Sequence, residues 1–442
     1  VTDRAALVAL DKARVWHPYT AMDVYLEVDP IVVVRAEGAW LYDADGAAYL
    51  DGNASWWTAS LGHRHPRIVR AIARQLETLD HCALAGIAHE PAALLAEELC
   101  AVAPAGLSRV FYTDNGSTSI EAAVKMCVQL FAQAGRPEKT RFVALEGAFH
   151  GDTIGAASLG GVEVFRRPFA GIVFDCVHVP VPDSDAHARA FEDVRRVLEA
   201  EHRTIAGVVV EPVVQGAAGM RVYDPAYLRE LRALCDRLDV LLVFDEVFTG
   251  YGRTGPMWAA AHAGVSPDLM ALGKAFAQCM PMGATLVAER VFDGFRGSRD
   301  RAFYYGHTFS GNPLGAAVAR EVLATYRDED VLGQVASKAP RIARAMERIG
   351  RIPGVARTRA LGMVGAADLD DPAGRIDARH AIEESGYLGT RGWRVYEEAR
   401  RRGAYLRPLG DTVYVCPPLT IAEEDLERLL AILEESVRAA LA

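Results

Sequence analysis

No two of the seven cysteines (Cys82, Cys100, Cys127, Cys176, Cys235, Cys279 and Cys416) form a Cys-x-x-Cys pair, and their number is odd. That scatter excludes a disulfide framework and fits reduced thiols. His-Glu-x-x-His and paired Cys/His spacings are also missing, so His63, His65, His81, His89, His150 and His307 suggest no metal site. Gly-x-Ser-x-Gly and a Walker loop are absent too, which removes two common hydrolase signatures. Basic charge is in short supply: the formal net charge is −10, against the basic face that a nucleic-acid binder needs. The one dense basic run, Arg400-Arg401-Arg402, precedes Gly403 and reads as a solvated helix end. No apolar stretch approaches the roughly 20 residues of a spanning helix. The first dozen residues carry Asp3, Arg4, Asp11 and Lys12, unlike a secretory leader, so a cytoplasmic place without membrane contact is the expectation.

What is present is ordinary for a large globular enzyme. With 442 residues, 51% of them hydrophobic, more than one core is expected. Short apolar runs alternate with helix-period segments, the mark of an α/β fold built on a mostly parallel sheet with helices on both faces. Strands are expected at Val110–Thr113, Arg141–Leu145, Ala206–Val210 and Val240–Phe244. A helix opens at Pro66, with Ile68, Ile72, Leu76 and Leu79 on one face. A further helix, Tyr227 to Leu238, joins the strand before Glu211 to the one before Asp245, so these acids leave neighbouring parallel strands at their carboxyl ends. Ligands of open α/β sheets bind at that edge. From about Leu332 the texture changes to longer amphipathic helices and short strands such as Thr412–Val415. The expected division is an N-terminal segment, 1–60, joining the small domain, a large domain, 61–330, and a smaller α+β domain, 331–442.

Three features carry chemistry. The run Asp114-Asn115-Gly116-Ser117-Thr118 turns a strand into a helix from about Thr118, with Thr118-x-x-Glu121 as a capping box. Free N–H groups there could cradle a phosphate, although most such turns merely cap a helix. Asp245 ends one apolar run, and Lys274 follows another, Leu269–Gly273. A lone acid or lysine is unremarkable; together they suit pyridoxal phosphate, whose aldehyde needs an amine and whose ring nitrogen needs a carboxylate. Lys274 then serves as the proton-transferring base, its pKa lowered by the cationic ring beside it.

Six motifs stand in order along the chain: Asn115-Gly116-Ser117, Phe149-His150-Gly151, Glu211-Pro212, Asp245 to Gly255, Gly273-Lys274 and His307-Thr308-Phe309. Together they resemble the class III (ω) aminotransferases, fold-type I pyridoxal-phosphate enzymes that work as homodimers. Trp16 to Thr20, Ser55-Trp56-Trp57 and Arg407-Pro408 are similar to a biotin-pathway subgroup acting on 8-amino-7-oxononanoate with S-adenosylmethionine as donor. The resemblance implies that Gly116, Ser117 and the partner subunit's Thr308 bind phosphate, and that Phe149 and Val247 sandwich the ring. Asp245 meets the ring nitrogen, Lys274 holds the aldehyde, and His150 and Glu211 complete the cofactor site. Tyr19, Trp56, Trp57, Phe149, Lys274 and Gly306 line the substrate site, with Arg407 on the substrate carboxylate. Trp56 and Trp57 also fit core packing, and in a strand only one of two neighbours faces a given side.

Two departures from the subgroup stand out: Phe149 where tyrosine is common, and Ala275 to Met282 where a Thr-Gly-Gly stretch is usual. The bulkier loop leaves the donor open between adenosylmethionine and lysine. Other readings are a class III enzyme acting on ornithine, 4-aminobutyrate, a polyamine or a β-amino acid. An aminomutase or decarboxylase of the same fold, or a non-catalytic protein that kept it, also remain.

Overall fold

The computed structural model describes residues 3–182, 187–370 and 389–442. Seven apolar runs form its central sheet: β1 (Leu107–Thr113), β2 (Arg141–Leu145), β3 (Cys176–Val179), β4 (Ile205–Val210), β5 (Leu241–Asp245), β6 (Leu269–Leu272) and β7 (Gly283–Ala288). Their spatial order is β1-β7-β6-β5-β4-β2-β3. Strands β3, β2, β4, β5 and β6 are mutually parallel; β7 is antiparallel to both neighbours, so β1 runs with β6.

Every residue of β4, β5 and β6 is buried, as expected of parallel strands covered on both faces. Alternation then sorts their side chains. Val208, Val210, Leu242, Phe244, Met270 and Leu272 enter one apolar cluster, while Val209, Leu241, Val243, Leu269 and Ala271 enter the other; the alternation slips at Gly207, where the pairing of β4 with β2 is irregular. The helix α1 (Gly116–Gln133) packs in the second cluster, and α2 (Ala226–Leu238), the β4–β5 crossover, packs in the first through Tyr227, Leu228, Leu231 and Leu234.

A smaller α+β region lies toward the C-terminus. Its three-stranded antiparallel sheet comprises Val355–Leu361, Val364–Leu369 and Thr412–Val415, flanked by helices Val331–Ile349, Arg391–Arg401 and Glu423–Leu441. Near the N-terminus, Val33–Glu37, Trp40–Asp43 and Ala48–Asp51 form an antiparallel ribbon. Ala404–Tyr405 adds to its edge in parallel, so main-chain bonds tie the start of the chain to its end.

Local details differ from expectation in two places. The helix opening at Pro66 stops at Leu76, which is exposed, so Leu79 lies beyond it and only Ile68 of the expected face is fully buried. α1 begins at Gly116 rather than Thr118, because its cap is Asn115. Among the described residues, no helix is long and apolar enough to cross a membrane.

Candidate active site

The carboxyl ends of β1, β5 and β6 surround a cavity of about 480 Å³ whose walls include Lys274, Asp245, Glu211, Phe149, Val247 and Trp57. Lys274 and Asp245 therefore share one space.

Lys274 follows β6 in a left-handed conformation (φ 50°), the first residue of a 3₁₀ turn. Its Nζ lies 5.1 Å from the centre of the Trp57 ring. Burial pushes its pKa down, while the carboxylates of Asp245 and Glu211 oppose that shift. Desolvation by the protein thus disfavours the ammonium before any charge on a bound ring adds to the effect.

Asp245 is the last residue of β5 and is 4% exposed. Its Oδ1 accepts the Val247 N–H at 3.0 Å, and its Oδ2 lies 2.7 Å from His150 Nδ1. The other ring nitrogen of His150, Nε2, is buried without a partner. Glu211 follows β4 and accepts the N–H of Phe149 at 3.1 Å and of Gly216 at 2.8 Å. Burial pushes the Glu211 carboxyl up to about 7, against the pull of His150 and these two donors. Glu211 thus reaches the cavity wall mainly as the brace that holds Phe149.

At α1, the expected Thr118/Glu121 capping box does not form. Asn115 Oδ1 accepts the Thr118 N–H at 3.0 Å, and the Thr118 hydroxyl accepts the Asn115 N–H at 3.1 Å. Glu121 is drawn away instead by Thr153, Gly155 and Ala156, whose hydroxyl and N–H groups it accepts at 2.5, 2.8 and 3.1 Å. The cap takes up the Thr118 N–H, and Gly116 and Ser117, the first two residues of the helix, line the cavity. Gly116 is there for space: a Cβ would come within 2.6 Å of Val247 Cγ1, and one on Gly273 within 3.0 Å of the Gly116 backbone.

Trp56 and Trp57 lie in neither a strand nor an ordinary loop. Ala54, Ser55, Trp56 and Trp57 have φ of 46°, 49°, 61° and 74°, one turn of left-handed helix without a glycine. Such residues cost about 1–2 kcal/mol each. The turn sends the two rings apart. Trp57 is buried, lines the cavity and donates its indole N–H to the Tyr414 hydroxyl at 3.1 Å. Trp56 is 42% exposed, edge-on to Tyr19 at 5.5 Å and 5.4 Å from the Arg407 guanidinium. Arg407 donates to the Tyr19 carbonyl at 2.7 Å, and no carboxylate pairs with it among the described residues. Tyr19 also lines a second cavity of about 320 Å³, which shares Phe149 and Gly151 with the first.

Gly306 and Thr308 are not brought to this space; both sit on an exposed stretch and neither lines the cavity. Conversely, Asp51, Asn53 and Gln278 have no role in the sequence expectation. Gln278 closes the cavity beside Cys279 and Met280, bonding the Leu61 N–H at 3.1 Å and the Gly62 carbonyl at 2.7 Å. Its signal was the replacement of a glycine-bearing loop. Asp51-Gly52-Asn53 carried only an undirected turn signal.

Comparison with known proteins follows this geometry. The family model described as aminotransferase class-III matches residues 23–437. A curated relative from Geobacter sulfurreducens is 38% identical, covering 98% of each chain. One from Nitratidesulfovibrio vulgaris is 41% identical over 96% of this chain and 80% of its own. Both carry the name adenosylmethionine-8-amino-7-oxononanoate aminotransferase. Among solved structures, the Methanocaldococcus jannaschii protein of that name matches with a TM-score of 0.93 at 30% identity, covering 99% of each chain. The Pseudomonas jessenii omega transaminase in complex with PMP matches at 0.91 and 29%, covering 98% of each.

Proposed function

The chain belongs to the class III aminotransferases, which are pyridoxal-phosphate enzymes, and from that premise we propose that it aminates 8-amino-7-oxononanoate to 7,8-diaminononanoate in biotin synthesis, with S-adenosylmethionine as donor. The observation that carries the reading is the cavity that Lys274 shares with Asp245 and Trp57, with Arg407, which pairs with no carboxylate among the described residues, standing beyond Trp56.

The residues present fit the cofactor. Lys274 offers an amine, Asp245 a braced carboxylate, α1 two free N–H groups for a phosphate, and Phe149 and Val247 two flanking surfaces. When bound, pyridoxal phosphate supplies an aldehyde carbon and a ring that accepts electrons from a substrate C–H bond.

The protein's own part follows from its geometry. Lys274 Nζ would hold the cofactor's aldehyde and, as a free amine, would take and return the proton of the substrate carbon. Burial keeps that amine free of its proton more readily than an exposed lysine, as a base requires. Asp245, fixed by Val247 N–H and His150, orients toward the ring nitrogen. The Trp57 wall excludes water along the alkyl chain of the substrate, and Arg407 forms a two-pronged bond with its carboxylate. Two copies pair, so that Gly306 and Thr308, exposed here beside Tyr304 (81%) and Phe309 (57%), serve the neighbouring site.

A half-reaction test decides the matter. Holoenzyme is mixed with adenosylmethionine or with lysine, and loss of the cofactor's aldehyde absorbance is followed; 8-amino-7-oxononanoate should then restore it. Conversion by ornithine or 4-aminobutyrate instead, with no restoration by the keto acid, would refute the substrate reading. Conversion by lysine alone would reassign the donor to the account of the Gln278–Met282 loop.

A further inference from the structure

The left-handed turn at Ala54–Trp57 contains no residue that favours it, so its shape is imposed from outside. Two buried polar residues impose it. Asp51 ends its strand and accepts the Asn53 N–H on Oδ1 at 3.2 Å and the Ser55 N–H on Oδ2 at 2.7 Å, with His63 Nε2 2.8 Å from the same Oδ2. Asn53 takes over from there. Its main-chain carbonyl accepts the Trp57 N–H at 2.8 Å, and its side-chain Oδ1 accepts the Arg407 N–H at 2.6 Å.

That second bond has a register. Leu50 pairs with Ala404 and Asp51 with Tyr405 in a parallel ladder, and Asn53 with Arg407 continues the same offset two residues farther along. A continued parallel ladder would have the Gly52 carbonyl accept the Arg407 N–H, but that carbonyl accepts the Cys416 N–H at 2.7 Å, and the Asn53 side-chain oxygen stands in for it. Asn53 is 2% exposed and its Nδ2 has no partner among the described residues, so the bond to Arg407 is the one its side chain makes with them. One residue therefore bonds the main chain at the inner wall, Trp57, and at the outer end, Arg407, and ties those two backbone positions to each other.

We propose that Asn53 is a positioning residue that fixes the spacing between Trp57 and Arg407, making the site select the length of chain between a substrate's reacting carbon and its carboxylate. The proposal rests on Arg407 being the carboxylate's partner, as in the proposed function.

The test titrates holoenzyme calorimetrically with straight-chain keto acids that differ by one methylene, in the wild type and in Asn53→Ala and Asn53→Asp. The wild type should prefer one length over its neighbours by roughly tenfold or more, the scale of one methylene in an apolar site. Asn53→Ala should flatten that preference to roughly twofold, while Asn53→Asp, which keeps an acceptor oxygen, should retain it. An Asn53→Ala variant that weakens every length in parallel overturns the proposal, as does a wild type without length preference. Loss of the preference in Asn53→Asp would overturn it equally, and that variant serves alone where Asn53→Ala does not fold. The two readings fail separately. Length-selective binding without amino transfer to any member refutes the proposed substrate only, whereas intact transfer with parallel weakening refutes the role of Asn53 only.

Discussion

Gly116→Ala should destabilise the protein and weaken cofactor binding through Val247, and Val247→Ala should relieve the steric part of that cost. A Cβ at residue 116 would lie 2.6 Å from Val247 Cγ1 and 3.0 Å from Cγ2, closer than side chains tolerate, but 3.4 Å from Val247 Cβ, an ordinary contact. The new methyl group therefore clashes with the two γ-carbons alone. Overpacking of this kind costs about 1–3 kcal/mol. Alanine in a helix returns roughly 0.5–1 kcal/mol of the backbone entropy that glycine loses. The net is a destabilisation of about 1–2 kcal/mol, or Val247 turns into the cavity and the cofactor binds roughly tenfold more weakly. In Gly116→Ala/Val247→Ala both γ-carbons are gone, so the double variant should be about 1–2 kcal/mol more stable than the sum of the singles. Urea unfolding of the apoprotein and titration with pyridoxal phosphate measure the two quantities. Costs that add within about 0.5 kcal/mol would refute the steric argument, since independent sites behave that way.

Lys274→Ala should abolish amino transfer while the melting temperature stays level or rises, because burial already disfavours the ammonium; residual turnover would count against its role as base. Lys338 is 4% exposed, donates to the Leu419 carbonyl at 2.8 Å and to Gln334 at 3.1 Å, and burial pushes its pKa down to about 8. A folded-state pKa below the unfolded value means that the unfolded chain holds more protons between the two. Stability from this group therefore rises as pH climbs from about 8 toward the ordinary lysine range, by up to roughly 1.4 kcal/mol per pH unit. Urea midpoints of wild type and Lys338→Met should diverge across that window in favour of the wild type; parallel curves would show that Lys338 does not titrate there.

The chemistry-bearing end of the molecule was readable because parallel strands covered on both faces are continuous apolar runs, and such runs announce where they stop. Glu211, Asp245 and Lys274 each stand at or just beyond such a stop, in β4, β5 and β6. The α1 cap was misread by one register. Thr118-x-x-Glu121 has the pattern, but Asn115 and Thr118 exchange both bonds one step earlier, and Glu121 finds three stronger claims in Thr153, Gly155 and Ala156. Only the fold brings those claims within reach. The turn that parts Trp56 from Trp57 was illegible for a different reason: Ala-Ser-Trp-Trp has no local preference for left-handed backbone, and its template comes partly from Arg407, over 350 positions away.

The distribution of strain ties these observations together. Among the described residues thirteen non-glycines adopt positive φ; Trp57, Lys274 and Gln278 line the first cavity, Tyr19 lines the second, and Ala54, Ser55 and Trp56 form the turn that carries Trp57. Strained conformations persist where surrounding contacts over-determine them. Here the contacts are named: Asp51 and Asn53 for the tryptophan turn, and the Gln278 amide bridging to Leu61 and Gly62 for the loop after Lys274. The acids thus rest on unstrained strand ends fixed by the sheet, whereas the walls formed by the tryptophan turn and the loop after Lys274 depend on a few side-chain hydrogen bonds between distant segments. Changing one such bond can reshape the walls without moving Asp245 or Glu211. That separation lets one sheet edge keep its chemistry while the outer site is refitted to different chains.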